Sequence, residues 1–197
     1  MFDPQNGLKM DKQPLIDLVK EFALEFAPEG EYFTLKSGAK SKFYLDCRKL
    51  TLSARGAHCI ANHLFSELGS LKFDALGGPC VGADPIVGAF LFQCVLGVRA
   101  NMRGFLVRKE EKDHGKAGRI IGSVKPGDNV VMVEDVTTSG GSSLDAIAAV
   151  EEFGAKVVQV VSVVDRQAGA TELFAEKGIP FKYLLNLDDL GINQNPE

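Results

Sequence analysis

Glu134 and Asp135 are adjacent carboxylates at the end of an apolar run, and hydroxyls and glycines follow them at once: "VVMVEDVTTSGGSS", Val130 to Ser143. Ionised carboxylates only accept hydrogen bonds. The pair therefore suits the donor hydroxyls of a sugar, or water on a Mg²⁺ ion held by a polyphosphate. Beyond the acids, Val136 leads into a loop made for an anion. Gly140 and Gly141 let the backbone approach closely, while Thr137, Thr138, Ser139, Ser142 and Ser143 offer hydroxyls. A helix starting there adds unpaired N–H groups and a partial positive charge. The ligand asked for has a phosphate at one end and free sugar hydroxyls nearby, as in a ribose 5-phosphate. The plainer alternative is a strand capped by acids, followed by a helix N-cap; the whole run, set after an apolar strand, favours the cradle. Neither G-x-x-x-x-G-K-[ST] nor G-x-G-x-x-G occurs, so the P-loop and dinucleotide fingerprints do not apply.

Such residues need a scaffold that brings loops to one edge. Lys12 to Phe26 carries Leu15, Leu18, Phe22 and Phe26 at helical spacing, which predicts an amphipathic helix. "EYFTLKSGAKSKFYLDCRKL" reads as two short strands around the turn "KSGAKS". A helix is expected from Ala57 to Leu68. Then strands ("FDALGG", "RGFLVR", "NVVMVED", "AKVVQVVSVVDR") alternate with helices ("PIVGAFLFQCVL", begun by a proline, and "SLDAIAAVEEF", closed by Gly154). Near-continuous Val/Ile/Leu/Met strands are covered on both faces, as in a parallel sheet. The expected fold is a doubly wound α/β domain with its ligand beyond the carboxyl ends of the strands. The loops Gly78–Asp84, Arg108–Arg119 and Glu134–Ser143 lie there, and Asp165-Arg166 closes a fourth strand on the same edge. Phe22, Phe26, Phe65, Phe90 and Phe92 are read as core, His58 and His63 as packing or surface residues, and the tail "INQNPE" as dispensable.

The 197 residues fit one domain. With 45% hydrophobic and 24% charged residues and a net charge of -4, bulk attraction to nucleic acid or acidic membrane is not expected. Cys47, Cys59, Cys80 and Cys94 form no C-x-x-C pair, so reduced thiols are expected rather than a zinc site or disulfides. The opening "MFDPQNGLKMDKQ" has no signal-peptide pattern and no apolar run reaches membrane length, which predicts a cytoplasmic protein.

The run from Val130 to Ser143 resembles the phosphoribosyl-diphosphate motif of type I phosphoribosyltransferases. By that resemblance Glu134 and Asp135 hold the ribose 2′- and 3′-hydroxyls, and Val136, Thr137, Thr138, Ser139, Gly140, Gly141 and Ser142 wrap the 5-phosphate. "RKEEKDHG", Arg108 to Gly115, would on its own be a solvated charged loop. It resembles the mobile catalytic loop of the orotate phosphoribosyltransferases, and "VVDRQ" resembles their strand-end D-R-Q. In that family the loop crosses a dimer interface. The resemblance implies that Arg108 is shared between partners and that Lys109, Lys112 and His114 engage the pyrophosphate, with Asp113 assisting proton movement. It also implies that Arg166 pairs with the orotate carboxylate, that Thr138 contacts orotate, and that Lys36, in "LKSG", reaches the diphosphate. Charge developing on a leaving pyrophosphate is what Arg, Lys and His can neutralise in a closed site.

Departures from the pattern assign Gly78–Gly82 backbone contacts only, because Val81 stands where some relatives have lysine. The role of Asp46–Arg48 stays open, and Phe43 and Tyr44 either shape the base pocket or pack the strand. The resemblance implies a type I phosphoribosyltransferase fold: a central, mostly parallel sheet flanked by helices, with a small N-terminal hood. Residues 1–197 form one domain, with about 1–50 plus the C-terminal segment as hood and about 51–167 as sheet core. Mg²⁺ is the implied cofactor, carried by the substrate diphosphate with no direct protein ligand, and the implied partner is a second copy. The alternatives are a phosphoribosyltransferase for a purine or another base, and a non-catalytic phosphoribosyl-diphosphate sensor, which would not need the charged loop.

Overall fold

The long valine-rich runs become the middle of one sheet. A computed structural model describes residues 10–34, 38, 40–97, 99–111 and 118–192. In chain order the N-terminal part holds α1 (Gln13–Phe22), β1 (Leu24–Phe26), β2 (Phe33–Thr34), β3 (Lys40–Ser41), β4 (Phe43–Leu45), α2 (Cys47–Thr51) and α3 (Ala54–Glu67). Next come β5 (Ala75–Pro79), α4 (Ala83–Leu96), β6 (Arg103–Val107), β7 (Ile120–Gly122) and β8 (Asn129–Thr137). The remainder is α5 (Gly141–Glu152), β9 (Lys156–Asp165), α6 (Ala170–Glu176) and β10 (Phe181–Asn186).

The main sheet has six strands in the order β10-β9-β8-β5-β6-β7, all parallel except β7, which runs antiparallel to β6. Helices cover both faces. Val131 and Val133 of β8 pack into the cluster shared with α1, α3 and α4, while Val130 and Met132 pack toward α5 and α6. All four are fully buried, and each contributes roughly 1.5–3 kcal/mol relative to exposure. That burial fixes β8, and with it the acids at its end. Two short antiparallel ladders, β1 with β4 and β2 with β3, stand apart from the sheet.

The structure corrects several readings. The helix expected to reach Phe26 stops at Phe22, because Leu24, Glu25 and Phe26 pair with Leu45, Tyr44 and Phe43. Phe26 fits the helical spacing but is 64% exposed, so no buried face draws it into a helix. Helix α3 starts at Ala54 rather than Ala57, because the Ser53 hydroxyl accepts the Gly56 N–H at 3.0 Å and caps it. Phe92 is not core: α4 is apolar all round, and Phe92, Val95 and Leu96 lie on its exposed side. The sheet also runs beyond residue 167, since β10 adds an edge strand, and β7 and α6 are short elements with weak patterns. Ile192 is buried against the core, so the tail is not dispensable from its first residue; 193–197 lie outside the described residues.

β5 ends on Gly77 and Gly78 for a steric reason. A Cβ on Gly78 would overlap the Val133 carbonyl of β8, and one on Gly77 the Phe105 carbonyl of β6. Gly78→Ala is therefore expected to lower unfolding stability by about 1–3 kcal/mol by urea denaturation, since the β8 backbone at Val133 must shift. Wild-type stability in that variant would mean that β5 and β8 can separate freely.

Candidate active site

Between β5 and β8 the strand order reverses direction: β6 follows β5 on one side, and β8 returns on the other. This is the crevice where open α/β sheets take their ligands. The loop after β5 and the loop after β8 meet there. A Cβ on Gly82 would stand 2.5 Å from the Asp135 carboxylate, so only glycine allows this approach.

The loop from Thr138 to Ser142 is open. Thr138, Ser139, Gly141 and Ser142 are exposed, whereas Gly140 is buried in the left-handed conformation, at φ 81°, which turns the chain into α5. No side chain caps that helix, so its first N–H groups point toward the loop unclaimed by a cap. Thr137 is buried, and its hydroxyl has no hydrogen-bond partner.

The two acids leave the strand on opposite faces, as neighbours on a strand must. Glu134 is buried toward α5, where the Ser143 hydroxyl donates to it at 2.6 Å. Burial pushes the Glu134 carboxyl up to about 7; the Ser143 bond opposes this and the Asp135 charge adds to it. Asp135 faces the other side, toward Gly82 and α2. Burial raises its carboxyl too, while the Val136 N–H, at 2.9 Å from Oδ1, and the Arg48 charge hold it down. Asp135 is thus the more accessible acceptor and Glu134 the more tightly held.

The end of β8, from which this loop leaves, is joined to the end of β9 directly. The Arg166 N–H donates to the Thr137 carbonyl at 2.8 Å, so Thr138 and Arg166 leave the same point of the crevice. The Arg166 side chain is half-buried, with its guanidinium 5.3 Å from the centre of the Phe43 ring on β4. Burial holds its pKa below the usual guanidinium value.

No family model matches the chain. It is 43% identical to the orotate phosphoribosyltransferase of Rhodopirellula baltica over 189 residues, 92% of this chain and 95% of that one. The chain belongs to the orotate phosphoribosyltransferase family. Among solved structures, orotate phosphoribosyltransferase of Mycobacterium tuberculosis bound to Fe(III) dicitrate matches with a TM-score of 0.81 and 34% identity, over 93% of this chain and all of that one. The same enzyme bound to 5-phospho-alpha-D-ribosyl 1-diphosphate matches at 0.76 and 32%, over the same shares. The fold is therefore that of the type I phosphoribosyltransferases, and the chain is a member of an enzyme family that transfers a pentosyl group. Adenine phosphoribosyltransferase of Leishmania donovani also matches, with a TM-score of 0.64 but 19% identity, which shows a shared fold alone.

For an orotate phosphoribosyltransferase, the charged loop is the next concern. Its base is built like a ladder: the Arg108 N–H donates to the Arg119 carbonyl at 2.8 Å, and Arg119 Nε returns to the Arg108 carbonyl at 2.7 Å. Arg119 also forms an ion pair with Asp145, which ties the loop's foot to α5. Arg108 and Lys109 emerge from this base, with the Arg108 charge acting on the Cys80 thiol and that of Lys109 on Asp145. Lys36, Lys112, Asp113 and His114 lie outside the described residues.

Some residues of the crevice were not legible as site residues in the sequence. Asp84 opens α4, and its Oδ1 is buried without a partner. Asp46 caps α2 and grips Arg48 through both oxygens, at 2.8 and 3.0 Å, which sets the Arg48 charge near Asp135. Only the acid-x-base spacing hinted at that pair. His58 and His63 sit on α3, away from the crevice. His63 is buried with Nδ1 2.8 Å from the Cys59 carbonyl, in keeping with a packing role. The four cysteines are free thiols.

The raised Glu134 carboxyl has two consequences of opposite sign. Its folded value exceeds the ordinary 4.5, so its stabilising contribution is complete below about 4.5 and is lost as pH rises through about 7. A function needing the ionised acid instead falls off as pH drops through about 7. Ser143→Ala removes the bond that favours ionisation. The acid limb of kcat/KM for the diphosphate substrate should then move to higher pH, and an unmoved limb would detach Glu134 from that step.

Proposed function

We propose that this chain transfers ribose 5-phosphate from 5-phosphoribosyl 1-diphosphate to N1 of orotate. The products are orotidine 5′-monophosphate and diphosphate, a step of de novo pyrimidine (UMP) synthesis. The observation that supports this reading is the bond from the Arg166 N–H to the Thr137 carbonyl, which joins the end of β9 to the loop read as a phosphate cradle. In this reading the N–H groups and hydroxyls from Val136 to Ser142 hold the 5-phosphate. Asp135 and Glu134 accept the ribose hydroxyls, and Arg166 and Thr138 take the orotate. A guanidinium fork meets a carboxylate through two parallel bonds, which fixes the plane of the base as well as its position. With both substrates held, displacement at the anomeric carbon proceeds through oxocarbenium character, and the protein supplies position and charge. Arg108, Lys109, Lys112 and His114, with Lys36 from the N-terminal turn, neutralise the departing diphosphate, and Asp113 helps to move a proton.

Mg²⁺ belongs to this proposal, carried by the substrate diphosphate with no direct protein ligand. The Asp135 carboxylate and the buried Asp84 Oδ1, which lacks a hydrogen-bond partner, suit water held on such an ion. When bound, the ion neutralises diphosphate charge. A homodimer is proposed as well, with Arg108 serving the neighbouring site; the exposed apolar side of α4 gives a second copy something to cover. The ladders β1/β4 and β2/β3, with the C-terminal segment, are read as the hood over the sheet core. Free thiols support a cytoplasmic setting.

The test is consumption of orotate, followed by ultraviolet absorbance with the diphosphate donor and Mg²⁺, beside adenine, hypoxanthine and uracil. Turnover of orotate alone is expected. Turnover of another base would keep the cradle and sink the assignment of Arg166.

A further inference from the structure

Arg166 reaches the crevice from the end of a strand, and a guanidinium on a flexible stem binds a planar carboxylate well only if its own plane is held. Its backbone is fixed by the 2.8 Å bond to Thr137, a bond that does not itself set the side chain. One contact on the guanidinium is the ring of Phe43, 5.3 Å from ring centre to Cζ. The two residues come from different parts of the fold: Phe43 from the small β1/β4 ladder, Arg166 from the end of the main sheet.

Phe43 is itself held. Its carbonyl accepts the Ser41 hydroxyl at 2.7 Å and its N–H donates to the same oxygen at 3.3 Å, so its backbone is clamped from the preceding turn. Its strand is registered on β1, with Phe43 opposite Phe26. The ring is partly buried against the large core cluster. Its neighbour Tyr44 turns elsewhere, pairing with Phe33 at 5.7 Å between ring centres. One face of a fixed ring against a guanidinium is the geometry in which the ring's quadrupole attracts the cation and orients its plane.

We propose that Phe43 is a positioning residue for orotate: its ring holds the Arg166 guanidinium in the plane that meets the orotate carboxylate. Phe43 acts through Arg166 and not by touching the reacting atoms, so the proposal rests on the reading of Arg166 given above. The ladder that carries Phe43 is thereby coupled to base recognition, and a shift of β4 would be felt as a change in orotate affinity.

The experiment compares Phe43→Leu, Phe43→Tyr, Arg166→Ala and the double variant Phe43→Leu/Arg166→Ala, with KM for each substrate and kcat measured separately. Phe43→Leu keeps an apolar side chain and removes the π face, so KM for orotate should rise about 3- to 30-fold, the range of a partly desolvated cation–π contact. KM for the diphosphate donor should stay within about twofold, and Phe43→Tyr should restore orotate KM, because the quadrupole is retained. In the Arg166→Ala background, Phe43→Leu should add nothing, since a residue acting only through Arg166 has no partner left. Thermal unfolding checks each variant, and Phe43→Met replaces the leucine variant if the latter does not fold cooperatively. Three results would overturn the proposal: an unchanged orotate KM in Phe43→Leu, an equal rise for both substrates, or additive losses in the double variant. If Arg166→Ala itself leaves orotate KM unchanged, the base assignment has failed and the proposal falls with it. If only the Phe43 effects are missing, the base assignment stands and the clamp alone is wrong.

Discussion

Replacing Arg166 with alanine is expected to cut kcat/KM for orotate by at least ~30-fold, since truncating one partner of a buried, hydrogen-bonded charge pair costs about 2–5 kcal/mol. The donor diphosphate should be far less affected. On the function proposed, its phosphate is held by backbone N–H groups and hydroxyls of the loop after β8, and none of these is removed. The split between the two substrates is the diagnostic quantity. Arg166 is half-buried beside Phe43, so its truncation also leaves space under the hood. If that space were the whole effect, both substrates would suffer together as the crevice loosened. Equal losses in steady-state kinetics would therefore mark Arg166 as a structural strut and return the base pocket to an open question.

The second large effect is expected at the charged loop. Lys109→Ala should lower kcat by about 10²–10³-fold, the usual cost of removing one donor aimed at developing charge. Lys109 is exposed at the loop's base, so urea unfolding should be unchanged. The partner question is answered by mixing two inactive variants, Lys109→Ala and Arg166→Ala. If each loop serves the neighbour's crevice, a mixed dimer contains one complete site, and random exchange of subunits should return about a quarter of wild-type activity. If each loop closes over its own crevice, every site in the mixture lacks one component and activity stays absent. The Arg119–Asp145 pair bears on the same experiment: with the bond from Arg119 Nε to the Arg108 carbonyl, it anchors the loop's foot to α5.

Much of this protein was written locally in its sequence. The strand Asn129–Thr137 and the loop after it are specified by neighbours in the chain: β-branched residues that fill both faces of a sheet, then glycines and hydroxyls whose backbone can serve an anion. Lys156–Asp165 is equally plain, and so is the helix that Gly154 closes. Local chemistry could place Glu134 and Asp135 at a strand end. It could not say that they face opposite sides, that burial would hold Glu134 near 7, or that Ser143 would be its partner. A pKa depends on what surrounds a group in three dimensions, and that is set by packing.

Tertiary structure decided everything that depends on which strands become neighbours. The sequence of Leu24–Phe26 satisfied a helical spacing, and pairing with Phe43–Leu45 overrode it. Phe92 matched a core pattern, yet α4 is apolar on every side and only one side can face the sheet. Gly82 shows its necessity only when Asp135 is brought against it, and Phe43 finds Arg166 only when the β1/β4 ladder lies near the end of β9. The residue types fixed what chemistry was available. The strand order put that chemistry in one crevice, because hydrogen bonding between distant strands and burial of their shared faces act across the chain and leave no local mark.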